Sequence, residues 1–259
     1  MSSNLFGKYV DEVRKAPVAS IRTTADIPRG LDIARDGNLS VHYIPFDMVN
    51  ADAKVVLVGI TPGLTQLVNA LREAQVQLNA GADHQTVLKH AKQTGAFSGA
   101  MRPNLVSMLD SIGLARWLGI GTCNDLFGKD SHLVHTTSAL RYPVFIDGKN
   151  YNGTPNMLKH PFLRTQLLEH FGAEANLLRN AVFIPLGDKV SEALDFIAGH
   201  GHIARERILD GLPHPSGANA ERVAYFLGKK PRGELSKKTD PDKLDAVRNK
   251  LLQQVAALG

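Results

Sequence analysis

Lys54-Val55-Val56-Leu57-Val58-Gly59-Ile60-Thr61-Pro62-Gly63-Leu64 decides the fold. Its Val/Leu run carries no polar alternation and breaks on Gly59-Ile60-Thr61-Pro62-Gly63. An unbroken β-branched run bounded by turn residues predicts a strand buried on both faces, as in a parallel sheet covered by helices. Beyond Gly63, Leu64, Leu67, Val68 and Leu71 fall at helical spacing. Strand, tight turn and helix form the unit that sets a ligand site at the carboxyl end of a parallel strand. Gly59 and Gly63 permit close backbone approach to a ligand, and Pro62 stiffens the loop. The turn is not a phosphate-binding P-loop, because no Gly-Lys-Ser/Thr follows it. An ordinary βα turn would also carry these glycines for packing.

Far downstream, Arg207-Ile208-Leu209-Asp210-Gly211-Leu212-Pro213 reads as a short apolar strand. It ends in His214-Pro215-Ser216-Gly217, and a helical pattern follows over residues 220–227. Two further stretches complete the set. Gly95-Ala96-Phe97-Ser98-Gly99 leads into Leu105, Met108, Leu109 and Ile112-Gly113-Leu114. Phe183-Ile184-Pro185-Leu186-Gly187 leads into Val190 and Leu194.

Taken in order, these four stretches resemble the uracil-DNA glycosylase superfamily and span residues 54–228, about two thirds of the chain. In that superfamily a Gly-x-x-Pro-Gly-like segment and a His-Pro-Ser segment face each other across the active site. The resemblance implies a single domain over residues 1–259. Its core would be a three-layer α/β/α arrangement with a central, mostly parallel sheet of four strands. Residues 1–53 would be a helical and irregular extension, and 229–259 would carry a C-terminal helix.

It also implies roles. Phe97 would stack on an extruded base, and stacking tolerates many bases. His214 would donate a hydrogen bond to a base carbonyl as negative charge develops there. Gly59, Ile60, Pro62 and Gly63 would border the base, while Pro215, Ser216 and Gly217 would meet the DNA. Ser216 and the amides around Gly63 and Gly217 suit phosphate oxygens. The expected reaction is base flipping followed by hydrolysis of the N-glycosidic bond, leaving an abasic site. No cofactor or metal is expected, the DNA carries the damaged or modified base, and a monomer is expected.

Two positions depart from the pattern. In many branches the third residue of the first motif is an Asp or Asn that directs the water, whereas here it is Thr61. A threonine hydroxyl orients a water but is no general base near neutral pH. Three accounts fit: slow cleavage of an already weak bond, a base from another carboxylate such as Asp83 or Asp110, or lost catalysis. The strand 132–140 matches the one that ends in an Asn reading uracil, but the nearest position is Ser138. A hydroxyl cannot span both the carbonyl and the N–H that an amide reads. Thr61, Ser138 and the long insert over residues 64–95 suit a bulky modified pyrimidine, and the resemblance extends to bacterial glycosylases that attack modified cytosines of phage DNA. A uracil-removing repair enzyme, a silent DNA-binding scaffold and a nucleoside hydrolase are the alternatives.

Composition sets the bounds. The chain has 259 residues, 43% hydrophobic and 21% charged, which are globular values. Its net charge of +5 suits a polyanionic partner without requiring one. One cysteine, Cys123, excludes an internal disulfide framework and a Cys-ligated iron–sulfur cluster. No signal peptide or membrane-length apolar run is evident, so a cytoplasmic protein is expected.

Elsewhere the reading is local. Residues 4–14 predict a helix, and Tyr43-Ile44-Pro45-Phe46 an edge segment. Residues 64–95 read as helix, a break at Gly81, and helix again with Asp83 as cap. His84 and His90 do not share a helical face, and His200 and His202 lack ligand-spaced partners. Asp147-Gly148-Lys149-Asn150-Tyr151-Asn152-Gly153 reads as a hairpin turn, with a DNA contact through its aromatic and basic residues as the alternative. Residues 228–238 concentrate Lys and Arg, either as a solvated linker or as a DNA-backbone contact. Residues 242–258 predict an amphipathic helix.

Overall fold

A computed structural model describes residues 5–95 and 101–258. The chain opens with α1 (Phe6–Lys15), then β1 (Asp32–Asp36) and β2 (Leu39–His42). Next come β3 (Val55–Gly59), α2 (Leu64–Asn79), α3 (His84–Gly95), α4 (Met101–Ser111) and α5 (Leu114–Leu118). The middle of the chain holds β4 (Val134–Ser138), β5 (Val144–Ile146), β6 (Lys149–Asn150), α6 (Pro161–Gln166) and α7 (Ala173–Leu177). It ends with β7 (Val182–Pro185), α8 (Asp188–Gly199), α9 (Ala220–Phe226) and α10 (Pro241–Ala256). A π-helical segment, Leu167–Gly172, links α6 to α7.

Val55–Gly59, β3, is the middle strand of a three-stranded parallel sheet ordered β4-β3-β7. Val55 through Val58 are fully buried. Val56 and Val58 pack into one apolar cluster, with α1, α2, α3 and α8. Val55 and Leu57 pack into a second, with α4, α5, α9 and α10. A strand with helices against both faces needs apolar residues at every position, which explains the missing alternation.

The expected fourth parallel strand is reduced to one bridge, Phe183 to Ile208, where the Leu209 amide donates to the Phe183 carbonyl at 2.9 Å. The 3₁₀ turn Arg205–Arg207 precedes it, and Gly211 at φ +109° with Pro213 follows. Only the residues between them run extended, so no longer ladder forms.

A second sheet was not foreseen. It is antiparallel, ordered β1-β2-β5-β6, and it replaces the irregular extension expected before residue 53. Leu39, Val41, Val144 and Phe145 seat it in the first cluster. The β1–β2 turn places Gly37 at φ +57°. In the β5–β6 turn both Asp147 (φ +47°) and Gly148 (φ +70°) are left-handed, the geometry of a two-residue hairpin. Tyr43–Phe46 leave this sheet rather than extending it.

Local expectations for the helices are met. Asp83 accepts the Thr86 amide at 2.9 Å and so caps α3. The basic 228–238 segment is tied down: Glu221 accepts from Lys230, Ser236 and Thr239, and Arg232 pairs with Asp242. Among the described residues no helix is long and apolar enough to cross a membrane.

Candidate active site

The carboxyl ends of the parallel strands converge on one cavity. Gly59 at the end of β3 stands in register with Ser138 at the end of β4. Past that point the Ala139 amide donates to the Gly59 carbonyl at 2.8 Å, and the Leu140 amide to the Ile60 carbonyl at 2.9 Å. The two strand ends therefore leave the sheet together. The β7 end contributes Leu186 and then Gly187 at φ +100°, a left-handed conformation that admits glycine. A Cβ built on Gly187 would lie 3.5 Å from Cδ2 of His214, so this glycine closes against the imidazole.

The cavity has a volume of about 90 Å³. Gly59, Ile60, Thr61, Pro62, Ser138 and His214 all line it, although the sequence separates them widely. Gly63, Pro215, Ser216 and Gly217 are not among its lining residues. Phe97 lies outside the described residues. Among the described residues the phenyl ring that lines the cavity is that of Phe46, a residue read from sequence only as part of an edge segment.

Several expected roles change on inspection of the hydrogen bonds. Thr61 Oγ1 donates to the Tyr142 carbonyl and accepts from the Val144 amide, each at 3.0 Å. Its single proton is therefore committed to bracing the loop against β5. The Gly63 amide donates to Gln66 Oε1 at 2.9 Å, and the Leu64 amide to Asn150 Oδ1 at 3.0 Å. Both amides are thereby used within the protein rather than left for a phosphate. Asp83 caps α3, and Asp110 accepts from Thr122 Oγ1 and the Cys123 amide at 2.7 Å each. Neither carboxylate lines the cavity, so neither supplies a base there.

His214 has a defined tautomer. The Ser216 amide donates to Nδ1 at 3.3 Å, which leaves the proton of the neutral ring on Nε2. Burial depresses its pKa, so the neutral form prevails near pH 7. The loop is held from the other side by Asn104, whose Nδ2 donates to the Pro215 carbonyl at 3.0 Å.

The cavity also contains charge that sequence reasoning missed. Lys92 of α3 and Arg141 beyond β4 both line it, and among the described lining residues there is no carboxylate. Lys92 is 8% exposed and Glu174 of α7 is fully buried behind it. Glu174 Oε1 lies 2.8 Å from His135 Nε2, 3.7 Å from Arg141 Nη2 and 3.9 Å from Lys92 Nζ. Glu174 Oε2 accepts from Thr137 Oγ1 at 2.6 Å. Burial pushes the Glu174 carboxyl up, but Arg141, the His135 hydrogen bond and Lys92 together hold it well below its ordinary value. Burial depresses His135 to about 4, with Lys92 adding to the effect. The same desolvation brings Lys92 down to about 7, against the pull of Glu174.

A larger cavity, about 450 Å³, shares Lys92 and Thr136 with the first. Its wall includes Asn50, Gln93, Ser131 and His132. The other histidines noted in sequence serve locally. His84 meets the Phe6 ring edge-on, His90 approaches Glu73, and His202 pairs with Asn176. Among the described residues no three His, Cys, Asp or Glu side chains gather to hold a metal ion.

The arrangement is that of a small pocket at the carboxyl ends of parallel strands, lined by a neutral imidazole and by the basic side chains of Lys92 and Arg141. Comparison with known proteins finds a 38% identical relative over 199 residues, 76% of this chain and 78% of that protein. That relative is the uncharacterized protein YoxB of Bacillus subtilis (strain 168), and the chain belongs to its family. No family model matches the chain, and no solved structure matches it.

Proposed function

We propose that the protein is a DNA glycosylase of the uracil-DNA glycosylase type, acting on a modified or damaged pyrimidine. One observation carries the proposal: the Gly59-Ile60-Thr61-Pro62 turn, Ser138 and His214 line a single cavity at the strand ends. The sequence resemblance asks for that meeting, and nothing local in the chain demands it. Read as an abbreviated fourth strand, Ile208-Leu209 beside β7 would give the four-stranded sheet of that superfamily, in the order β4-β3-β7-fourth.

The chemistry follows from the groups present. Cleaving the bond between C1′ and the base nitrogen leaves the electron pair on the base. Water supplies the new oxygen on C1′, and its released proton leaves with the solvent or the base. His214, neutral and protonated on Nε2, donates a hydrogen bond to a base carbonyl as charge builds. The lining carries no described carboxylate, so stabilising the departing base carries more of the work than activating the water. The adjoining 450 Å³ cavity gives hydrogen-bonding room for a bulky polar substituent on the pyrimidine. The mildly basic chain suits DNA.

The committed hydroxyl of Thr61 favours a second reading, a DNA-binding protein that keeps the scaffold without catalysis. One experiment separates them. Purified protein is incubated with uracil-containing DNA, unmodified DNA and phage DNA carrying modified cytosines, and freed bases are identified by mass spectrometry. Release of a base from one substrate, lost in His214→Ala, supports the glycosylase. DNA binding with no base released from any of the three supports the silent scaffold.

A further inference from the structure

We infer that Lys92 supplies the positive charge that holds the electron pair of the departing base. The inference rests on the glycosylase reading and names a residue outside the sequence motifs behind that reading.

A lysine ammonium has three N–H donors. One of them reaches the Met48 carbonyl at 2.8 Å. Glu174 Oε1, at 3.9 Å, is an ionic neighbour beyond hydrogen-bond reach. The 3.4 Å approach to His135 Nε2 is not a second bond. That nitrogen carries the proton given to Glu174, because His135 Nδ1 accepts the Asn50 amide at 3.2 Å. Two ammonium donors thus remain for whatever fills the cavity that Lys92 lines. A buried cation with unmatched donors is costly, and such a group calls for an explanation.

An anion arriving in the pocket provides one. Before cleavage the base is neutral; after it, negative charge spreads onto the ring nitrogen and carbonyl oxygens. A neutral His214 offers a donor but no charge. The cations that line the cavity are Lys92 and Arg141, and Arg141 Nη2 is fixed to the Phe46 and Asp47 carbonyls. Lys92 keeps two donors beyond its bond to the Met48 carbonyl. Glu174 favours the protonated form of Lys92, against the burial that lowers its pKa, while staying shared with Arg141, His135 and Thr137. Around it stand the buried Asp47, Arg141 in the pocket lining, and His132, His135, Lys89 and Arg102 in the lining of the larger cavity. Burial brings Lys92 near neutrality, so an anion in the pocket would draw it back to the protonated form.

The test uses the full chain and its variants Lys92→Met and Lys92→Arg, in single-turnover assays on the DNA from which wild-type protein releases a base. Each assay is run with the plain pyrimidine and with its 5-fluoro counterpart, whose greater acidity makes it the better leaving group. Lys92→Met is expected to slow release of the plain base about 100-fold, the usual effect of removing one charge-stabilising donor. The 5-fluoro base should suffer far less, and Lys92→Arg should restore most of the rate. Wild-type kcat/KM should fall as pH rises past about 7, and this limb should vanish in Lys92→Arg. Equal slowing of both bases, or no slowing, overturns the assignment and leaves Lys92 a structural residue. A wild-type protein that releases no base removes the glycosylase reading and this inference with it. Wild-type release that Lys92→Met leaves intact removes the inference alone.

Discussion

The backbone amide of Ser216 donates to Nδ1 of His214, two residues back, across 3.3 Å. This short loop bond sets which face of the imidazole carries the proton. Replacing His214 with Ala is therefore expected to cut base release about 100- to 1000-fold while leaving DNA affinity within a few-fold. His214→Asn, which keeps a donor, should fall between the two. Gel-shift binding and single-turnover release measured on the same preparations check this. Loss of DNA binding alongside release would assign His214 to DNA contact instead.

Thr61 is expected to matter for stability more than for chemistry. Thr61→Val removes the acceptor of the Val144 amide, leaving a part-buried N–H unmatched at a cost of about 1–3 kcal/mol. Thr61→Ser keeps both hydrogen bonds and should be near wild type. Urea unfolding midpoints give the comparison. A Thr61→Val protein with normal stability but no base release would return Thr61 to the role of water director.

Glu174 is the hub of the buried charges. Glu174→Gln keeps the shape but leaves Lys92 and Arg141 without their shared counter-ion, so a loss of about 3–5 kcal/mol is expected. Chemical denaturation reads this directly. An unchanged midpoint would mean that the cations are balanced from elsewhere.

Acid should destabilise the fold earlier than carboxylate titration alone would. Burial depresses His135 from 6.5 to about 4 in the folded protein, so the unfolded chain takes up that proton first. Its contribution is present above pH 6.5 and is lost as pH falls towards 4, a change of roughly 3 kcal/mol. Glu174, also held below its ordinary value, acts in the same direction at lower pH. Unfolding midpoints at pH 7.5, 5.5 and 4.5 should fall steadily, and more shallowly in His135→Asn. Identical slopes in both proteins would exclude His135 as a source.

What the sequence made legible was local. Val55–Gly59 and Leu64–Asn79 carry their own periodicity, Asp83 its cap and Asp147-Gly148 its turn. The β1–β2 turn, Gly37-Asn38, carries a comparable Gly/Asn signal inside residues 1–53, whose reading from sequence is only helical and irregular. The meeting of Gly59, Ser138 and His214 is legible only through the resemblance, because no local rule brings two strand ends and a distant loop together. Lys92 and Glu174 stayed hidden because charged helix residues ordinarily face water. Yet Lys92 sits one turn beyond Leu88 on the buried stripe of α3, and Glu174 lies between Phe171 and Ala175, both buried. A charge at a core position was the sign to look for.

The small antiparallel sheet has a consequence for how this protein can be shortened or diversified. β5 gives the Val144 amide to Thr61, β6 gives the Asn150 side chain to the start of α2, and β5 rests on β2. Trimming the chain to begin at the central strand would therefore strip the scaffolding behind the Gly59–Gly63 turn. The opening segment is in that sense a splint for the pocket.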